Sequence, residues 1–450
     1  MARGMSIHLL ALSLVAGVAL AATPGTSPSW VSEGQTALSL GTSVSISDIN
    51  GDGYADILAE AQGAVNVHYG STIGPSASPD LILTSPSGTN GFSSEFGYGL
   101  STQGDWNGDG YKDVLIGDST YGGTGAAWIY LGSPSGISSV PVWHALGEAA
   151  SCCGYGLAVA FVGDVNGDGF SDVLVGNPYF NNYQGKVYLY LGSATGASTE
   201  PAWTYTGDQA SAGLGVPIAG AGDVNGDGHA DVIVGERGWV NPKRKGGGGK
   251  AMVFLGSTAG LAGQPAWAVT GTGDSQYGHA VSSAGDVNGD GFSDILVGDS
   301  YADVVKGKSN TIVGVNRGRV FLYLGSVAGP STTASWSVTG DQDSAQLGDV
   351  VIGAGDIDGD GFSDVIITAP HRSETFVDQG RIYAYRGSAA GLSSLPFWTV
   401  DGPAQDYAGN LGVTVASGDE NGDGHSDVLL GFPHYFTTYY AGRVELYLTQ

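Results

Sequence analysis

Asp164, Asn166, Asp168 and Asp172 sit at positions 1, 3, 5 and 9 of a loop, counted from the first aspartate of GDVNGDGFSD (163–172). Oxygen donors at that spacing gather on one side of a tightly turning chain. With the backbone carbonyl of Phe170 at position 7 they suit a hard cation that takes six to eight oxygens at about 2.3–2.6 Å, and Ca²⁺ is favoured over Mg²⁺. The chain repeats the set six more times. The copies are Asp48, Asn50, Asp52 and Asp56; Asp105, Asn107, Asp109 and Asp113; and Asp223, Asn225, Asp227 and Asp231. Further along come Asp286, Asn288, Asp290 and Asp294; Asp356, Asp358, Asp360 and Asp364; and Asp419, Asn421, Asp423 and Asp427.

Position 7 is a ring in every copy: Tyr54, Tyr111, Phe170, His229, Phe292, Phe362 and His425. Its carbonyl ligates from the backbone, so the side chain is free to pack. His229 and His425 are accordingly read as packing groups that contribute a carbonyl, not an imidazole. Glycine at position 6 permits the sharp turn. An EF-hand begins the same way but needs a bidentate glutamate at position 12 between two helices. Position 12 here is Ala59, Ile116, Val175, Val234, Val297, Ile367 or Leu430, so that reading fails seven times. Aspartate at position 9 is read as the glutamate's substitute. Sites that repeat inside hairpins point to structural ions, up to seven of them.

These loops hold just over half of the chain's 43 acidic residues, and seven divalent ions would cancel about half of its formal net charge of −27. The acidity is therefore mainly metal chemistry. Only 16 lysines and arginines are present, thinly spread, which argues against a nucleic-acid partner. With 42% hydrophobic residues in 450, the chain has ample material for a large core.

The elements that hold the loops must repeat as well. Successive first aspartates lie 57, 59, 59, 63, 70 and 63 residues apart, periods that belong to an array of supersecondary units. Behind each loop stands an apolar run without alternation (DILAE, DVLIG, DVLVG, DVIVG, DILVG, DVIIT, DVLLG), the pattern of a strand buried on both faces. An alternating strand and turn follow, as in KVYLYLGSATG (186–196) and RVFLYLGSVAG (319–329). A tryptophan opens the next segment at Trp143, Trp203, Trp267, Trp336 and Trp398; PDLIL is less regular and puts Leu81 there. Each unit is thus four short strands. Seven such units predict an all-β fold, a seven-bladed β-propeller of four-stranded antiparallel blades. The last unit ends at its third strand, GRVELYLTQ (442–450), while PSW (28–30) offers a tryptophan strand at the other end. An N-terminal strand is therefore expected to complete the last blade and close the ring.

Arg3, the apolar run LLALSLVAGVALAA and the small residues Ala19 and Ala21 have the make-up of a signal peptide cleaved before Ala22. Residues 1–21 are read as that leader and 22–450 as a single propeller domain. No later apolar run approaches the ~18 residues of a membrane span, so a secreted, extracellular protein is expected. No N-x-S/T acceptor is present. The two cysteines, Cys152 and Cys153, are adjacent, which excludes a disulfide framework. They either close a strained vicinal ring or remain thiols.

FGYGL (96–100) and YGLAVA (155–160) ahead of acidic loops, with VGNP (175–178) and ITAP (367–370) after them, resemble the FG-GAP repeat of integrin alpha subunits. The resemblance covers residues 28–450. It implies calcium in the hairpin between the first two strands of each blade, on the lower face of a seven-bladed propeller. Integrins bind calcium in only some blades, whereas all seven loops here are competent. The legs, membrane helix and tail of an integrin have no counterpart in these residues, so adhesion carries over only loosely and integrin signalling not at all.

If the acidic loops and LGSxxG turns mark the lower face, the connections between second and third strands open on the upper one. They range from GGTG (122–125) to DSYADVVKGKSNTIVGVNRG (299–318), and insertions gathered on one face of a repeat array mark its binding side. Tyr179, Trp239, Lys243, Arg244, His371, His434, Tyr435 and Tyr439 are the candidate ligand contacts there. Rings with positive charge suit an extracellular glycan or acidic protein partner; the plainer alternative is a set of solvated loops. The leading function is a secreted, calcium-binding adhesion or ligand-binding module, expected to be monomeric. A polysaccharide lyase or hydrolase on a calcium-stabilised propeller is the alternative. Against it, the chain has no GxSxG, no HExxH and no unrepeated carboxylate pair with a basic partner. A passive scaffold comes third.

Overall fold

The computed structural model describes residues 22–34, 39–86, 94–148, 153–196, 198–242, 248–272, 275–306, 311–403, 414–435 and 441–449. Its regular structure is almost all strand, with single helical turns at Tyr121–Gly123 and Phe180–Tyr183. Seven four-stranded antiparallel sheets follow one another, and their first strands neighbour each other in a closed cycle. This is a seven-bladed β-propeller. Blade one runs outward through Val44–Ser47, Asp56–Glu60, Ala64–His68 and Leu81–Thr84. Blade three shows the regular form: Ala158–Gly163, Asp172–Asn177, Lys186–Tyr190 and Trp203–Thr206.

Local sequence explains each element. The second strand is buried at every position in blade three, because neighbouring sheets cover both of its faces, and so it dispenses with alternation. The first strand ends in a bulge where the register slips between Phe161 and Gly163. Gly163 has φ +79°, a conformation open to glycine, and the kink turns the chain into the acidic loop.

The core is divided by interface. Seven buried apolar clusters lie one between each pair of neighbouring blades. The tryptophan that opens a fourth strand meets the ring that ends the next blade's third strand. Trp143–Tyr190, Trp203–Phe254, Trp267–Tyr323, Trp336–Tyr385 and Trp398–Tyr447 have centroids 5.0–5.6 Å apart at steep angles. Such pairs contribute about 0.5–1.5 kcal/mol each beyond the area they bury. Leu81 stands in for the tryptophan at the interface of blades one and two.

Blade seven is built from both ends of the chain, as expected. Thr414–Gly418, Asp427–Phe432 and Arg443–Tyr447 are completed by Trp30–Glu33, with Trp30 opposite Leu446 and Glu33 opposite Arg443. The long connection of blade five, expected as a loop, instead forms a hairpin of Val304–Lys306 with Thr311–Gly314. Its β-branched residues favour extended chain. The expected leader (1–21) and Cys152, on which a vicinal ring depends, lie outside the described residues.

Candidate metal centres and the opposite face

Every acidic loop joins the first and second strands of its blade, and blade three shows how it is held. Asp164 Oδ1 accepts the N–H groups of Gly167 (2.6 Å) and Asp168 (3.0 Å), and its Oδ2 accepts that of Gly169 (2.7 Å). Asn166 Oδ1 takes the N–H of Asp168 (3.1 Å), and Asp168 Oδ1 that of Phe170 (3.1 Å). Side chains at positions 1, 3 and 5 thus fold the loop around their own oxygens. Asp172 is fully buried and acts as a bracket. Its Oδ2 accepts from Val165 N–H (2.9 Å) and its Oδ1 from Gly192 N–H (2.9 Å), in the turn before the fourth strand. The other six loops repeat the bracket, down to Asp427 Oδ1 on Thr449 N–H (2.7 Å).

Neighbouring loops are also tied to each other. The ring at position 7 lies over the position-4 glycine of the preceding loop: Tyr111 over Gly51, Phe170 over Gly108, His229 over Gly167, Phe292 over Gly226, Phe362 over Gly289 and His425 over Gly359. Tyr54 faces Gly422 more loosely and completes the circle. A Cβ at Gly226 would fall 2.6 Å from the Phe292 ring, and its φ of +72° is already in the left-handed region. The packing role expected of His229 and His425 agrees with this placement. At five of the seven joints the N–H at position 8 adds a bond to the carbonyl at position 1 of the preceding loop, as from Ser171 to Asp105 (2.8 Å) and from Ser293 to Asp223 (2.9 Å).

The charge pattern fits a hard cation. Among the described residues no lysine or arginine pairs with an aspartate at positions 1, 5 or 9 of any loop. Burial pushes Asp172 up to about 7, partly offset by its two backbone N–H bonds and reinforced by Asp168 and Asp164. Asp56, Asp113, Asp294 and Asp364 reach about 7 as well, and Asp231 and Asp427 about 6, with burial first among the causes. Carboxylates this enclosed and this close to one another call for a positive partner. In blade six, oxygens of Asp356, Asp358 and Asp364 lie within 4.8 Å of one another. Asp358 replaces the usual asparagine and pairs with Arg386, which stacks over Phe397 at 4.6 Å and replaces the usual leucine.

The upper face is irregular, and much of its charge is internally matched. Lys186 pairs with Glu148 at 2.5 Å, and Lys250 pairs with Glu236 at 2.6 Å. Trp239 is anchored: its Nε1 donates to Asp208 (3.0 Å) and Lys250 sits 5.2 Å above its ring. Tyr179 is half-buried and packs against Tyr183 at 5.2 Å. His371 faces Asp378 at 3.7 Å, while its neighbour Arg372 is clamped by Asp341 and Glu374. His434 is exposed. Tyr435 corrects the expectation of an exposed ring: it is 9% exposed, joins the cluster between blades six and seven, and lies 5.0 Å beneath Arg443. Lys243, Arg244 and Tyr439 fall outside the described residues. Sequence reading missed His279, whose Nε2 is 3.0 Å from Asp349 on the neighbouring blade. Both follow the glycine that precedes a first strand, and that shared place in the repeat was the available signal.

Residues 40–72, 155–190, 216–253, 277–323, 350–385 and 411–447, together just over half of the chain, match the FG-GAP repeat. Integrin alpha-6 of Gallus gallus is 36% identical over 151 residues, which cover 32% of this chain and 14% of that protein. Integrin alpha pat-2 of Caenorhabditis briggsae is 30% identical over 280 residues, 58% of this chain and 20% of the relative. The chain thus spans a fifth or less of these relatives. The crystal structure of BBS1N in complex with ARL6DN, soaked with lead, has a TM-score of 0.54 at 10% identity, over 94% of this chain and 96% of that one. That likeness is one of fold.

Proposed function

The chain belongs to the FG-GAP repeat family, and from that premise we propose that it is an exported, calcium-stabilised adhesion or ligand-binding module. One observation carries the reading: the lower face repeats the same loop seven times, while the connections on the upper face differ in every blade. Uniform sites suit a scaffold, and variable loops on one face suit recognition. The hairpin arm of blade five adds to the second half. It exposes Val305 (53%), Ile312 (53%), Val313 (48%) and Val315 (48%), an apolar strip of the kind that partners cover.

Calcium would be held in each loop by the aspartates at positions 1, 5 and 9, the asparagine (or Asp358) at position 3 and the carbonyl at position 7. It would supply positive charge that cross-links the hairpin to its own blade. The leader-like composition of residues 1–21 and the integrin relatives support an extracellular setting. No helix among the described residues is long and apolar enough to cross a membrane.

An array of extracellular-matrix proteins and glycans, probed with calcium and with chelator, tests this reading. The expected hit is lost when segments 241–245 and 436–440 are replaced by glycine-serine linkers of equal length, which leaves the packed Trp239 and Tyr435 in place. A hit indifferent to those replacements removes the upper face from the proposal. A second reading, cleavage of an acidic polysaccharide, has the His279–Asp349 pair in its favour, with Tyr301 against His279 at 5.9 Å. Release of unsaturated uronates, abolished by His279→Gln, would establish that reading in place of simple binding.

A further inference from the structure

The interface between blades seven and one differs from the other six. Its buried apolar cluster contains Ala55, Ala59 and Ala61 and no fully buried Phe, Tyr or Trp, whereas each of the others buries at least one. The cause lies in the third strand, whose alternate residues face the preceding blade. Blade three presents Lys186, Tyr188 and Tyr190; at the same register blade one presents Ala64, Asn66 and His68. A groove of about 670 Å³ remains between the fourth strand of blade seven and the flank of blade one. Ser32, Glu33, Gln62, Asn66, Ser78 and Thr84 supply its polar lining. Glu33 is the one charged residue of the lining, and Arg443 neutralises it at 2.9 Å.

Beyond Asn66 and Ser32 the two facing rows continue to His68 and Trp30, whose rings meet edge-on at 5.1 Å. Elsewhere the tryptophan N–H donates to the neighbouring blade's turn, at the carbonyls of Ser198, Ala262, Ser331 and Ser393. The equivalent carbonyl in blade one, Ser76, is taken by His68 Nδ1 at 2.9 Å. His68 Nε2 and Trp30 Nε1 are consequently buried with no protein partner. Leaving such groups unmatched costs about 1–3 kcal/mol apiece, so this interface lacks the tryptophan tie that those four others have.

We propose that the groove is a binding site for a neutral oligosaccharide of two or three sugar units. Amides and hydroxyls both give and accept hydrogen bonds, as sugar hydroxyls require, and no uncompensated charge favours an ionic ligand. Pro79 and Ile82, the latter 55% exposed, offer apolar patches to the C–H faces of the rings. The volume falls within the ~300–1,000 Å³ of small-ligand sites. This site meets the upper end only at the turn residue Gln62 and uses none of the segments replaced in the array experiment, so its test does not depend on that reading.

Saturation-transfer NMR on the calcium-loaded chain with maltotriose, cellotriose and triacetylchitotriose provides the test. At least one sugar should receive saturation. The double change Ala64→Lys with Asn66→Tyr copies blade three, fills the groove and should abolish transfer without lowering the melting temperature. Asn66→Ala keeps the groove open and should weaken binding about tenfold, the effect of one lost hydrogen bond; it decides the matter if the double variant fails to fold. Transfer to none of the three sugars, or transfer undiminished in the variants, overturns the proposal.

Discussion

The two ends of the propeller follow opposite rules. At the lower end six of the seven loops share one hydrogen-bond diagram, blade six departing from it only at Asp358, and each loop turns its ring toward the glycine of the loop before it. At the upper end a connection is as short as the two-residue turn Gln62–Gly63 in blade one, or as long as the hairpin arm of blade five. The difference teaches that stability and variation are kept apart: a face locked by repeated contacts leaves the opposite face free to differ from blade to blade.

Removal of divalent ions should break the comparison most severely. One ion at a hundredfold excess over its Kd contributes about 2.7 kcal/mol. Chelation should therefore lower the calorimetric melting temperature by roughly 10 °C or more; an unchanged melt would detach the loops from stability. The next effect is a reversal of pH dependence. In the ion-free chain the position-9 aspartates have pKa values of about 6–7, above the ordinary carboxylate value. The folded chain then holds protons that the unfolded chain releases, so its stability should fall as pH rises from about 4 through 7. With saturating calcium the same rise should increase stability, because protons compete for the ion's oxygens. Melting curves in parallel series with and without calcium should cross, and parallel slopes would refute the burial argument.

Gly226→Ala probes a single joint of the ring. Displacing Phe292 and straining a positive φ should cost about 2–3 kcal/mol by chemical denaturation, whereas Gly228→Ala, whose added Cβ meets nothing, should show the smaller part due to φ alone. Equal losses would mean the ring contact contributes nothing. Least affected should be the upper end: replacing 304–314 with a short glycine-serine turn is expected to change stability by less than about 1 kcal/mol. A larger loss would make the arm part of the scaffold.

Much of this was legible in the sequence because repetition turns a weak local pattern into a strong one. Seven copies of D-x-N/D-x-D-G placed the hairpins, unbroken apolar runs placed the second strands, and the displaced PSW placed the closing strand. What escaped depends on partners far away in the chain. Tyr435 looks like a loop residue until Arg443 covers it, and Trp239 looks free until Asp208 and Lys250 hold it. The groove was hidden for a further reason: Asn66 and His68 are unremarkable until superposed on Tyr188 and Tyr190 of another blade.

The blade shared between the two ends of the chain has a consequence during synthesis. Ser29 Oγ bonds the carbonyl of Leu446, 417 residues away. On a ribosome the first half of that contact is made well before the second and must wait for the intervening blades to emerge. Six blades can assemble in the order of translation, but the seventh needs a long-range closure of the kind that folds slowly. Until it forms, the flank of the first blade and the outer edge of the last stay uncovered, so a helper that shields nascent chains has most to do just before the ring closes.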